Sequence, residues 1–213
     1  MKASFNPVLL INKSLVFERM RVNASSNIYK KVNELFEGLV PLIEKSVDYQ
    51  AVFTVEDNHF GFVQSPLSDC DKIVFCYVTI GERVCHEVNR MFEDGRLLEG
   101  YLLNEMTNEV VMDATNQLYG HIKGLLKPIG FNLSKRLSPG ECTLDMTYQS
   151  LIMNELKKSF DIKGTLTSAY MINPEKSTLY LYGADPDQPD TDMDFDCGTC
   201  PSHSCPYRRS KPL

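Results

Sequence analysis

Apolar residues recur at helical spacing in two long stretches of the chain. In the first, six of them follow Ser25 and Ser26, which can cap a helix: Ile28, Val32, Leu35, Phe36, Leu39 and Ile43. Pro41 lies within this stretch and predicts a kink or a break. The second predicted helix spans 97–126, where a ladder with a period of four indicates a core-facing stripe: Leu102, Met106, Val110, Ala114, Leu118 and Ile122.

Shorter patterns predict two more helices and six strands. One helix is predicted over 82–93, and another begins near Asp145, which can cap it, and ends at Gly164. β-Branched and aromatic residues predict strands at 49–55, 60–63, 72–80, 131–137, 165–172 and 177–182. Helices and strands do not alternate regularly, so the pattern favours an α+β fold with helices packed on a twisted, mostly antiparallel sheet.

The composition changes after Gly183, where we place the end of a folded domain (1–183). Residues 184–196 include six Asp and two Pro, which is typical of a solvated linker. Residues 197–213 are expected to form a short, irregular Cys-rich tail.

Charge and hydropathy argue against several classes of partner. The formal net charge is −6 and no basic stripe is present, which argues against nucleic acid. No apolar run is long enough to cross a bilayer, so we predict no membrane partner. The apolar stretch near the start, 7–11, is too short for a signal peptide, and we expect a cytoplasmic protein.

A possible ligand site follows the predicted strand at 131–137. Arg136 enters a Pro-Gly turn, and an arginine offers a fixed fork of donors that matches a carboxylate. A glycine lets a ligand approach the backbone closely. The candidate binding residues are Arg136, Ser138, Pro139, Gly140 and Glu141.

A second motif lies further along the chain, in the run Gly164-Thr165-Leu166-Thr167-Ser168-Ala169-Tyr170-Met171-Ile172-Asn173-Pro174. Taken in order with the Arg136 turn, this run resembles the activation domain of cobalamin-dependent methionine synthase and its stand-alone relatives. Thr79-Ile80-Gly81 and Leu103-Asn104-Glu105 are also similar to that family. The resemblance covers about 8–183.

The resemblance implies a shallow groove that binds S-adenosylmethionine on an antiparallel sheet. It also implies docking on a cobalamin-bearing partner, whose oxidised cobalt is restored by an electron and the methyl group of S-adenosylmethionine. Arg136 would hold the ligand carboxylate, and the backbone of Ser138 and Gly140 would lie against the ligand. Glu141 departs from the family, which usually has Tyr at this position.

Three cysteines of the tail have the spacing of a metal centre: Cys197, Cys200 and Cys205. Cys-x2-Cys is common in both zinc and iron–sulfur sites. An iron–sulfur cluster is favoured, with Cys142 as a candidate fourth ligand, and zinc with His203 stays open. The alternative is an irregular tail with three free thiols, which would be prone to oxidation.

Two functions are compatible with these features. The first is an accessory protein that reactivates a corrinoid cofactor on a partner methyltransferase, by reduction, by S-adenosylmethionine-dependent remethylation, or by both. The second is a non-enzymatic adaptor or chaperone for a corrinoid protein, with a structural metal in its tail. Glu141 favours the adaptor, and the cysteines favour the reactivation factor.

Overall fold

A computed structural model describes residues 1–63, 66–141 and 144–192, together with Phe195 and Cys205. The helices within these residues are α1 (Lys13–Arg19), α2 (Tyr29–Ser46), α3 (Arg83–Glu93), α4 (Leu97–Leu126) and α5 (Tyr148–Lys157). The strands are β1 (Lys2–Phe5), β2 (Gln50–Asp57), β3 (Lys72–Thr79), β4 (Asn132–Leu133), β5 (Thr165–Leu166), β6 (Ile172–Asn173) and β7 (Ser177–Asp185). No helix in this part of the chain combines the length and the apolar character needed to cross a membrane.

Five strands form one sheet in the order β1-β2-β3-β7-β4, and every neighbouring pair is antiparallel. Strands β5 and β6 pair separately, also antiparallel. The predicted α+β class with a mostly antiparallel sheet is therefore confirmed. Strand β3 lies at the centre and is buried on both faces, which explains its almost continuous apolar sequence.

The sheet separates two apolar layers because side chains of a strand alternate between its faces. On one face, Val74, Cys76 and Val78 pack with the second half of α4. On the opposite face, Phe75 and Tyr77 pack with α5. A third cluster joins α1, α2 and α3 to the first half of α4. The apolar stripe predicted on α4 is buried along its whole length. It contributes to two of these three clusters, the one with α1, α2 and α3 and the one with Val74, Cys76 and Val78.

The cap predicted for α2 is wrong, and of the kink or break predicted at Pro41 the break is excluded. The helix runs without interruption through Pro41. Its N-terminus has no side-chain cap, since Ser25 and Ser26 lie in a turn centred on Asn23. The hydroxyl of Ser25 donates to Asn23 Oδ1 at 2.6 Å, and the Asn23 amide donates to Ser26 Oγ at 3.0 Å. The serine hydroxyls therefore form hydrogen bonds within this turn and do not cap the helix.

Two of the predicted strands, 60–63 and 165–172, do not form as single strands. Residues 60–63 are irregular, because Phe60 and Phe62 are aromatic anchors and not part of a ladder. Phe60 packs edge-on to Phe75 (4.9 Å between centroids), and Phe62 stacks on Tyr148 (5.4 Å). Residues 165–172 are divided between β5 and β6, and a turn with positive φ at Tyr170 lies between them.

Three other boundaries differ from the sequence prediction. The strand predicted at 131–137 is reduced to β4 and a single bridge between Leu137 and Leu181. Helix α5 begins after Asp145, whose side chain accepts from the Thr147 amide at 2.8 Å, and ends well before Gly164. Strand β7 continues to Asp185, past the expected boundary at Gly183. The division of the chain into domain, linker and tail stays a prediction.

Gly183, near the end of β7, leaves no space for a side chain. A Cβ there would lie 2.3 Å from Cys70 Sγ, which is itself buried. We expect Gly183→Ala to lower the free energy of unfolding by about 1–3 kcal/mol, the usual cost of overpacking a core. Gly124→Ala is the matched control: its Cβ would meet nothing within 4 Å, and the change should stabilise the exposed helix by about 1 kcal/mol. Urea unfolding of both variants measures the difference, and equal stabilities would contradict the packing argument.

Candidate functional site

A groove of about 700 Å³ lies between α4, the turn after Arg136, α5 and the start of β7. We call it the Arg136 groove. Its lining includes Asn108, Met112 and Thr115 from α4, Arg136, Ser138, Pro139 and Glu141 from the turn, Met146 and Gln149 near the start of α5, and Met171, Lys176, Phe195 and Cys205. Four of the five residues predicted as a ligand site therefore line one groove. Their binding role stays a prediction.

Arg136 is held in place by neighbours from three parts of the chain. Its Nη1 donates to Thr115 Oγ1 at 3.1 Å. Its guanidinium carbon lies 5.5 Å from the centre of the Tyr180 ring and 5.1 Å from that of Phe195, which are cation–π distances. The adjacent Leu137 is fixed by two backbone hydrogen bonds to Leu181, of 2.9 and 3.0 Å. A planar cation is thus positioned in the groove.

The turn after Arg136 is a type II turn. The Glu141 amide donates to the Ser138 carbonyl at 3.0 Å, and Gly140 has φ +87°, which this turn requires at its third position. The Gly140 amide donates to the Leu144 carbonyl at 2.7 Å, so it is already engaged within the loop. Gly140 is the predicted residue that is not part of the groove lining, and its role here is to shape the turn.

Lys176 is a groove residue that the sequence reasoning missed. It is only 8% exposed, and its ammonium group donates to Asn104 Oδ1 and Asn108 Oδ1, both at 2.6 Å. Burial lowers the pKa of this lysine, because desolvation disfavours the charged form. The groove therefore has two basic side chains, one at each end of the stretch of α4 between Asn104 and Thr115. No sequence pattern distinguishes Lys176 from a surface lysine.

Residues 190–192 of the expected linker lie along α4. The hydroxyl of Tyr119 donates to the Thr191 carbonyl at 2.7 Å. Lys123 Nζ lies 2.8 Å from Asp190 and 2.9 Å from Asp192, and Lys127 Nζ lies 2.6 Å from Asp190. Residues 190–192 of the Asp-rich segment are therefore attached to the domain by ion pairs.

The cysteine prediction is only partly within the described residues. Cys205 lines the Arg136 groove, whereas Cys197 and Cys200, together with the candidate ligand Cys142, lie outside the described residues. Within the described ranges, no group of three or more His, Cys, Asp or Glu side chains could hold a metal ion. Burial raises the pKa of the Cys70 thiol to about 11, so this body cysteine is an unreactive core residue.

The attachment of the Asp-rich segment should depend on pH. Hydrogen bonds from Lys123 and Lys127 lower the pKa of Asp190 to about 2. A lowered carboxyl pKa means that the ion pairs are intact above the ordinary carboxyl pKa and are lost as the pH falls towards 2. At pH 7, Asp190→Asn should increase amide hydrogen exchange in residues 190–192, and Asp187→Asn should not. Unchanged exchange in Asp190→Asn would show that the ion pairs do not hold the segment.

No protein-family model matches this sequence, and no curated protein matches it. Among solved structures, the chain is similar to the one described as the MetH reactivation domain bound to AdoHcy. The TM-score is 0.64 at 11% sequence identity, and the match covers 90% of this chain and 80% of the other. The fold is similar to that of a reactivation domain. This confirms the resemblance that the sequence motifs predicted, at the level of the fold.

Proposed function

We propose that this chain helps to reactivate a corrinoid cofactor carried by a partner methyltransferase. The observation that carries the proposal is the Arg136 groove, on a fold similar to a reactivation domain whose structure holds AdoHcy. The ligand would be S-adenosylmethionine, with its carboxylate at Arg136. Methyl transfer to reduced cobalt would break the bond between the sulfur and the methyl group and leave S-adenosylhomocysteine.

The groove has the composition that such a ligand needs. Ligand sites combine an apolar lining with a few polar groups that fix orientation. Here Met112, Met146 and Met171 supply adaptable apolar surface, since a thioether side chain has several rotatable bonds. Arg136 and Glu141 supply one charge of each sign. The volume of about 700 Å³ lies within the usual range for a cofactor or drug-sized ligand.

The second part of the proposal concerns the electron that reduces cobalt. Cys197, Cys200 and Cys205 would hold a metal centre, and an iron–sulfur cluster is the form that carries electrons. Support comes from the spacing of these cysteines and from Cys205, which lines the same groove as Arg136. The redox centre would then lie beside the proposed ligand, so the electron and the methyl group would both reach cobalt from this groove.

An adaptor without catalytic activity is the second candidate function. It is favoured by Phe195, which already covers the Arg136 guanidinium, and by Glu141, which is exposed where the similar family usually has Tyr. In that case the metal would be zinc with a structural role. The two functions differ in whether the groove binds the ligand.

A titration followed by amide chemical shifts tests the proposal. S-Adenosylhomocysteine, added to the isotopically labelled chain, should shift the amides of Thr115, Arg136 and Gln149 by saturable amounts at micromolar to millimolar concentration. The amides of α2, which lie outside the groove, serve as the internal control. Absence of any saturable shift in the groove would remove the S-adenosylmethionine proposal and favour the adaptor.

A further inference from the structure

A buried hydrogen-bond acceptor lines the Arg136 groove without a partner. Gln149, the second residue of α5, is 8% exposed, and its Oε1 accepts no hydrogen bond from any of the described residues. Its Nε2 donates to Met146 Sδ at 3.9 Å, which orients the carboxamide. Buried polar side-chain atoms in native proteins are almost always paired with protein, water or ligand. The Gln149 oxygen is therefore available to a donor that enters the groove.

Gln149 lies beside the turn that carries Arg136. A Cβ on Gly140 would meet Met146 Sδ at 2.4 Å, and the same sulfur accepts from Gln149. The thioether thus connects the turn to the glutamine. Around this end of the groove are a cation at Arg136, an exposed carboxylate at Glu141 and the unpaired carbonyl oxygen of Gln149.

This set of charges matches a zwitterion. A guanidinium binds a carboxylate, and an ammonium group needs acceptors, which a carboxamide oxygen and a carboxylate provide. We infer that Gln149 binds the α-ammonium group of the ligand, whose α-carboxylate lies at Arg136. Gln149 is then the residue that selects ligands with a free α-amino-acid group. The inference rests on the proposed function and names a contact that the sequence did not indicate.

A structural role for Gln149 predicts the opposite behaviour on mutation. If the glutamine stabilised the fold, an apolar replacement would lower the melting temperature. If its oxygen serves a ligand, Gln149→Leu removes an unsatisfied buried acceptor, so the melting temperature should stay the same or rise. Ligand affinity should fall in the same variant. Opposite changes in stability and affinity distinguish the two roles.

Calorimetric titration with two ligands tests the inference. S-Adenosylhomocysteine has the α-amino-acid group, and 5′-methylthioadenosine lacks it. We expect Gln149→Leu to bind S-adenosylhomocysteine about tenfold more weakly and 5′-methylthioadenosine with unchanged affinity, since one hydrogen bond to a charged group is lost. Gln149→Glu, which keeps acceptor oxygens, should restore binding. Gln117→Leu, at a glutamine on α4 outside the groove lining, is the matched control and should bind both ligands as the wild type does.

The possible outcomes separate this inference from the function on which it rests. Equal affinity of wild type and Gln149→Leu for S-adenosylhomocysteine would show that only water satisfies the oxygen, and would overturn the inference alone. An equal loss for both ligands would also overturn it, since the effect would not concern the amino-acid group. If the wild type binds neither ligand, the proposed function fails and the inference with it.

Discussion

Replacing Arg136 with Leu should weaken the binding of S-adenosylhomocysteine by about a hundredfold. Truncating one partner of a buried, hydrogen-bonded charge pair costs about 2–5 kcal/mol, and about 1.4 kcal/mol corresponds to a factor of ten. Arg136 is positioned for such a pair by Thr115, Tyr180 and Phe195. Arg136→Lys keeps the charge but loses the planar fork, so we expect an intermediate loss. Equilibrium titration measures each dissociation constant.

Lys135→Leu is the matched control for Arg136→Leu. The neighbouring Lys135 is exposed and is not part of the groove lining, and its replacement changes the net charge by the same amount. It should leave the affinity within about twofold, as expected for surface substitutions. Equal losses in the two variants would mean that Arg136 acts through net charge only. An unchanged affinity in Arg136→Leu would refute the proposed position of the carboxylate.

Replacing the three tail cysteines with Ser should remove the metal and abolish cobalt reduction. A Cys197→Ser, Cys200→Ser and Cys205→Ser variant lacks the thiolates that zinc or iron would require. We expect one metal centre per wild-type chain and none in the variant. Binding of the corrinoid partner should be retained, because the helices and strands of the described fold lie within residues 2–185. Anaerobic purification with iron, sulfide and zinc analysis measures the metal.

Cys70→Ser is the control for the triple variant. Cys70 is buried, and its thiol donates to the Pro66 carbonyl at 3.0 Å, a bond that a serine hydroxyl can also make. Metal content should therefore be unchanged in this variant. Stoichiometric zinc in the wild type, without iron, would assign the tail a structural role and favour the adaptor. A wild-type chain without metal would refute the prediction of a metal centre.

Periodicity predicted the regular parts of the fold well. Helix α4 begins and ends at the predicted residues, because a long amphipathic pattern specifies a helix. Strand β3, predicted from its β-branched and aromatic residues, is one residue shorter than predicted. The errors concentrate where side chains take part in tertiary contacts that no local pattern encodes. Phe60 resembles a strand residue in sequence, but its ring is held by Phe75. The break predicted at Pro41 fails because packing of the apolar face stabilises α2 on both sides of the proline.

The candidate site could be predicted only in part from the sequence. The Arg136 turn is local, so its residues appear together in the sequence and together in the groove. Gln149 reaches the groove through the packing of α5, and Lys176, which directly precedes β7, reaches it through contacts with residues that are distant in sequence. Lys176, for example, is held by Asn104, and 72 positions separate the two residues. Such contacts are visible in the folded structure and cannot be predicted from the spacing of residues along the sequence.

The oxidation state of cobalt shows whether this chain restores an oxidised corrinoid. The partner is captured anaerobically on the tagged chain and identified by its cobalt content and visible spectrum. Captured corrinoid protein in the Co(II) state is then mixed with S-adenosylmethionine, a one-electron reductant and either the wild type or Arg136→Leu. We predict methylcobalamin and S-adenosylhomocysteine in equal amounts with the wild type, and much slower formation with the variant. If methylcobalamin forms at the same rate with and without the wild-type chain, the proposed function is wrong.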